Sequence, residues 1–328
     1  GDGTTTMRTS PVDVSGLSAG LGGLGMGFVH TCATTAGGSL KCWGYNLFGQ
    51  LGDGTTTDRL TAVDASHVRN AFAAATGGDN HSCALSERGE AYCWGDNGKG
   101  QLGDSTLTQR LSPVPVSGLA DGADAISAGW SHACALTPAG GVHCWGRNTE
   151  GQLGDGTSTD RQSPVAVSGL ASGVAAVTTG ANFSCALTTG GGVKCWGHNP
   201  DGQLGDGTTV TRYTPVDVAG LAGGVASIEA GASHACPVST GGGLKCWGDN
   251  SLGQIGDGSP PTDRPTPVDV SGLTSGVAAV SAGSGHTCAL TTGGGLKCWG
   301  YNADGQLGDG TTTTRATQAD VSGLTSGV

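Results

Sequence analysis

The chain has 328 residues, a formal net charge of −11 and 12% charged side chains, so there is no basic stripe to meet a phosphate backbone. Glycine supplies 64 residues, but 36% of the chain is hydrophobic and the glycines recur at fixed places, which excludes a disordered polymer. No apolar run is long enough for a membrane-spanning helix.

In chain order, a leader over 1–20 reads as an outer strand, because "GDGTTTMRTSPVDVSGLSAG" aligns with "GDGTTTTRATQADVSGLTSG" at 308–327. Neither a starting Met nor a secretory leader is seen, so Gly1 is expected to be an interior point of a precursor or a processed end. Six modules follow: 21–71, 72–122, 123–173, 174–224, 225–276 and 277–328. Their first cysteines, Cys32, Cys83, Cys134, Cys185, Cys236 and Cys288, are spaced by 51 residues, with one step of 52. The extra residue lies in "GDGSPPTDR", from Gly256 to Arg264. Each module reads as four short strands, a to d, rich in β-branched residues and punctuated by glycine. In the last copies, strand d is expected over Thr266–Leu273, a over Val277–Gly283, b over His286–Thr292 and c over Gly295–Gly300. Four strands per repeat with a Trp at a fixed place predict an all-β propeller of four-stranded antiparallel blades.

The unit "GxxHTCALTTGGGLKCWGYNxxGQLGDGT" resembles the repeat of the regulator-of-chromosome-condensation family, in its secreted bacterial form. The resemblance covers essentially the whole chain. It implies a β-propeller, usually of seven blades. Members include a eukaryotic nucleotide-exchange factor and a secreted bacterial inhibitor of β-lactamases. The cysteines depart from the nuclear members and argue against an exchange-factor role.

A residue present in every module serves what every blade needs. Asn46, Asn97, Asn148, Asn199, Asn250 and Asn302 recur in "WGxN", and Gln50, Gln101, Gln152, Gln203, Gln254 and Gln306 in "GQ". Such amides are expected to satisfy loop backbone groups. Seven of the ten arginines share one repeat position, as do seven Asp of "GDG". These imply Asp–Arg contacts or, alternatively, a basic ring for an anion. The cysteines pair as Cys32/Cys42, Cys83/Cys93, Cys134/Cys144, Cys185/Cys195, Cys236/Cys246 and Cys288/Cys298, and three states are open to them. Directly opposed positions in a hairpin favour disulfides. Free buried thiols and a metal site with His286 are the other two, although Phe183 breaks the histidine pattern and no fourth ligand recurs. Disulfides place the chain in an oxidising compartment, secreted or on the cell surface.

A binding site should lie where modules differ. The a–b loops and the start of the c–d loops vary, and both fall at one end of the blades. This defines a candidate face of Phe28, Tyr45, Phe48, Asp79, Asp96, Trp130, Arg147, His198 and Tyr301, with Phe28, Tyr45, Phe48 and Trp130 as exposed anchors. Asn80 and Asn182 match the N-glycosylation pattern. No catalytic constellation, cofactor motif or resident metal is read from the sequence, and neither nucleic acid nor a membrane is an expected partner. The count of seven d strands against six a–b–c sets leaves one strand over. It predicts end-to-end pairing of copies into an array or filament, with the repeat itself as a structural scaffold. The alternative is a protein-binding module, an adhesin or enzyme inhibitor, acting through the variable face.

Overall fold

The computed structural model describes residues 1–17, 20–66 and 71–327. Blade one is β1 (Leu21–Met26), β2 (His30–Thr35), β3 (Leu40–Gly44) and β4 (Arg59–Asp64). Blade two is β5 (Phe72–Gly77), β6 (His81–Ser86), β7 (Ala91–Gly95) and β8 (Arg110–Pro115). Blade three is β9 (Ala125–Ala128), β10 (His132–Leu136), β11 (Val142–Gly146) and β12 (Arg161–Ala166). Blade four is β13 (Val174–Thr179), β14 (Phe183–Thr188), β15 (Val193–Gly197) and β16 (Arg212–Asp217). Blade five is β17 (Val225–Ala230), β18 (His234–Ser239), β19 (Lys245–Gly248) and β20 (Arg264–Asp269). Blade six is β21 (Val277–Ala282), β22 (His286–Thr291), β23 (Leu296–Gly300) and β24 (Arg315–Asp320). Every sheet keeps the order a–b–c–d, giving an all-β six-bladed propeller. The described residues build six blades, where the resembled family usually has seven.

The chain clusters into two compact units, Gly1–Thr5 with Asp13–Val177, and Thr6–Val12 with Thr178–Val328. In each unit the core lies between consecutive blades. In the first, Cys83, Leu85, Cys93 and Leu102 of blade two pack under Trp145 of blade three. In the second, Cys236, Leu244, Cys246 and Ile255 of blade five pack under Trp299 of blade six. A four-stranded sheet has two faces to cover, and a neighbouring copy covers them with its strand-c indole. The indole also carries a polar pin. Nε1 of Trp94, Trp145, Trp247 and Trp299 donates to the carbonyls of Gln50, Gln101, Gln203 and Gln254 at 2.8–3.0 Å. A buried N–H left without such a partner would cost about 1–3 kcal/mol.

The glycine that closes "GQLG" makes room for the pin. Gly103 has φ +66°, and a Cβ there would stand 2.8 Å from Nε1 of Trp145. Gly103→Ala combines backbone strain with a displaced indole. It is expected to cost about 2–4 kcal/mol in denaturant unfolding, with loss of near-ultraviolet ellipticity from Trp145.

Two expectations change. Strand d runs over Arg264–Asp269, earlier than the predicted Thr266–Leu273. The "DVSGL" segment turns away instead, burying Val270 and Leu273 in the core. The leader expected as an outer strand over 1–20 holds no strand among its described residues. The place beside β3 is taken by β4. The leader lies along its own chain: Gly3 N donates to Leu60 O at 3.0 Å, and Ala62 N to Ser15 O at 3.4 Å. Within the second unit, Gly310 N donates to Thr9 O at 2.7 Å, as Gly207 N donates to Pro265 O at 2.9 Å. Residues 6–12 thus use the backbone bond that a following blade makes.

Candidate functional site

The repeated polar residues are spent inside each blade. Asn46 Oδ1 accepts from Leu51 N at 2.9 Å, and its Nδ2 donates to the carbonyls of Thr55 and Thr57 at 3.2 and 3.0 Å and to Asp53. The other five Asn accept in the same way from Leu102, Leu153, Leu204, Ile255 and Leu307. Arg59, Arg110, Arg161, Arg212, Arg264 and Arg315 each bind the "GDG" carboxylate of their own blade at 2.6–2.9 Å. The pair survives the inserted residue of the fifth loop, where Arg264 still reaches Asp257. Burial opposes ionisation of Asp309, but hydrogen bonds from Thr311 and Arg315 outweigh it and hold the carboxyl at about 2. These six guanidiniums are committed within their blades, which removes the basic ring for an anion.

All twelve cysteines form the six expected hairpin disulfides: Cys32–Cys42, Cys83–Cys93, Cys134–Cys144, Cys185–Cys195, Cys236–Cys246 and Cys288–Cys298. Cα atoms stand 4.0–4.2 Å apart, the spacing of opposed residues at a narrow antiparallel pair. The pairing expectation holds, but the cysteines are no part of a surface site. Strand c runs through the interior of each sheet, so its cysteines Cys42, Cys144, Cys195 and Cys298 are buried, as are Cys93 and Cys246. They belong to the core, away from the variable loops, and the bonds brace each b–c hairpin from within.

No cysteine is left free to hold a metal, and two counterparts of His286 have another task. His30 Nε2 lies 2.7 Å from Ser82 Oγ, and that hydroxyl donates to Gln50 O at 2.8 Å. The hydroxyl proton is therefore committed, and the imidazole must donate. His234, Thr287 and Gln254 repeat the relay at 2.9 and 2.8 Å. Burial drives His30, a near-neighbour of His81, down to about 3 and His234 to about 4, so both stay neutral. Sequence reasoning weighed these histidines only as metal ligands. The missed signal is a correlation between modules, with a Ser or Thr one place after the next module's histidine. Two modules lack the hydroxyl: Phe183 is matched by Ala235 in that place, and His81, although a histidine, by Ala133.

The variable residues sit at one end of each blade. The first c–d loop residue donates its N–H to the a–b loop of the same blade. Tyr45 donates to Val29 O, Asp96 to Asn80 O, Arg147 to Ser131 O, His198 to Asn182 O, Asp249 to Ser233 O and Tyr301 to Gly285 O, all at 2.8–3.0 Å. In the first unit these loops carry an apolar cluster. Phe28 is 57% exposed, Trp130 40%, Leu47 57%, Val29 41% and Tyr45 36%. Phe28 and Trp130 meet edge to face, ring centroids 6.1 Å apart. Phe48, expected among the exposed anchors, is half-buried, its N–H bound to Gln50 Oε1 at 3.0 Å. Leu47 takes the outward place instead. Asp79, Asp96 and Arg147 are half-buried at the same end, and Arg147 Nε donates to Thr149. Asn80 and Asn182 are half-buried too, with Asn80 Nδ2 donating to Asp79 Oδ2 at 2.9 Å.

In the second unit the corresponding end is more polar. Half-buried Tyr301 and exposed Leu252 flank Gly285. Gln254 donates to Asp249 at 2.7 Å, and Gln203 meets His198 Nδ1 at 3.3 Å. Burial, then Asp249 and Asp263, push the Asp201 carboxyl up. No helix among the described residues is long and apolar enough to cross a membrane.

The family model of the RCC1-like domain matches residues 1–326. The chain is 34% identical over 294 residues to the ultraviolet-B receptor UVR8 of Arabidopsis thaliana, covering 87% of this chain and 66% of that one. It is 33% identical over 291 residues to the human E3 ubiquitin-protein ligase HERC2, covering 85% of this chain but 6% of the relative. Thus it spans just under two thirds of one relative and a small part of the other. Prp20p of Saccharomyces cerevisiae superposes with a TM-score of 0.79 at 26% identity, over 91% of this chain and 76% of that one.

Proposed function

We propose a role that starts from family: the chain belongs to the RCC1-like domain family, and it acts as a non-catalytic protein-binding propeller outside the cytosol. Its partner docks on the a–b and c–d loop end. The observation that carries this is the division of labour along the repeat. Recurrent Asn, Arg, Asp and Trp are consumed by folding contacts, while the residues that change from blade to blade expose Phe28, Tyr45, Leu47 and Trp130 together. Aromatic residues in such clusters carry most of an interface's energy. Prp20p, described with its binding to Gsp1p and histones, supports a partner-binding role for this fold. Six disulfides support an oxidising compartment and, within this proposal, secretion or surface display.

The structural-array reading has less support, because the described residues of the leader hold no strand and bond to their own chain. The test is a triple variant, Phe28→Ala, Tyr45→Ala and Trp130→Ala, used as bait beside the parent in extracts of the source. A specific partner is expected to be retained by the parent and lost by the variant, at least a hundredfold in affinity, with the melting temperature unchanged. Retention by both would place the interface elsewhere.

A further inference from the structure

Resting on that reading of the face, we propose that its occupant is a basic, apolar-flanked segment of the partner protein, with a Lys or Arg side chain seated between the Phe28–Trp130 pair and the carboxylates of Asp79 and Asp96. Three observations converge there. The two rings stand edge to face and both are exposed, so π-surface is open to a cation. Backbone bonds bring Asp79 to the same point: Phe28 N donates to Gly78 O at 3.0 Å, and Asp79 N to Trp130 O at 3.1 Å. Asp79 is therefore strapped between the loops that hold the two rings.

The third observation is charge. The "GDG" carboxylates of Asp53, Asp104 and Asp155 each own an arginine. Asp79 and Asp96 have no ion-pair partner among the described residues. Asp79 takes the amide of Asn80, while Asp96 takes Gly98 N and the amide of Gln101. The nearby cations are engaged elsewhere, Lys99 with Asp160 at 3.9 Å and Arg147 with Thr149. Burial raises the Asp79 carboxyl, and the facing charge of Asp96 raises it further. An incoming cation would relieve that repulsion, and the apolar rim of Val29, Tyr45 and Leu47 would cover the residues beside it.

Fluorescence anisotropy with labelled twelve-residue peptides tests the match. The expected result is saturable binding of a lysine–leucine peptide and none of a glutamate–leucine peptide. D79N/D96N should weaken binding about tenfold, and F28A/W130A about tenfold or more. The control D121N/D124N makes the same charge change at exposed positions on the link into blade three, and should leave binding unchanged. Equal weakening by D121N/D124N would show general charge attraction and overturn the proposal. So would binding of the acidic peptide, or indifference to D79N/D96N. If natural-partner capture still depends on Phe28, Tyr45 and Trp130 while the basic peptide fails to bind, the face reading stands and only the cationic occupant falls.

Discussion

Acidification from pH 7 to pH 4.5 is expected to unfold the protein cooperatively, before most exposed aspartates have taken up a proton. Burial holds His30 and His132 at about 3, and His81 and His234 at about 4, against 6.5 in the unfolded chain; His286 is lowered as well. A histidine depressed in the fold contributes stability that is whole above pH 6.5. That stability is lost as pH falls toward the folded value, because the unfolded chain takes up the proton first. Each group then costs about 1.4 kcal/mol per pH unit below 6.5. At pH 4.5 that is nearly 3 kcal/mol apiece, and four such groups match the whole stability of an ordinary domain. The "GDG" carboxylates act later. Their lowered values remove stability only below the usual Asp range. Glu229, raised to about 7 by burial, works in the opposite sense and offsets about one histidine's share of the slope. The decisive variant is His81→Phe. Blade four already holds Phe183 fully buried with Ala235 opposite, and His81 faces Ala133 in the same relation. His81→Phe is expected to fold and to shift the acid midpoint downward by several tenths of a pH unit. An unchanged midpoint in circular dichroism would show that His81 is not among the groups responsible.

Reduction is expected to be the second large effect. Each disulfide closes a loop between cysteines ten residues apart, worth roughly 2–3 kcal/mol. Replacing Cys83 and Cys93 together by Ser should lower the melting temperature by about 4–12 °C and leave the other blades folded. Full reduction should abolish the cooperative transition at physiological temperature. Because the sulfurs are buried between blades, reduction of the native protein should be slow and accelerate once denaturant opens the fold. Rapid native-state labelling of twelve thiols in mild reductant would contradict this packing.

The repeat made most of the fold legible. A fixed cysteine interval, a fixed Trp and alternating strands specify a blade, because each blade must satisfy the same neighbour. The disulfides were legible for the same reason, since a ten-residue hairpin opposes its cysteines directly. The start of strand d was less so. The bulge between Cys246 and Gly248 shifts its register, and backbone irregularity leaves no mark in composition. The leader matches a strand in sequence but lacks a vacant ladder, and a ladder belongs to the partner, not to the segment. Phe48 looked like a surface anchor by its variability. Its N–H is tied to Gln50, and Leu47 faces outward in its stead. The His–hydroxyl relay joins residues 52 apart, from His30 to Ser82, and only a comparison between modules would expose it.

Photo-crosslinking tests the division between folding residues and binding residues most directly. A photoreactive amino acid replaces Leu47 on the variable face in one variant, and exposed Pro138 on the b–c hairpin of blade three in another. Irradiation in the native milieu should give one discrete adduct from position 47, suppressed by excess unlabelled protein, and none from position 138. Adducts at 138 with none at 47 would contradict the assignment of the binding face.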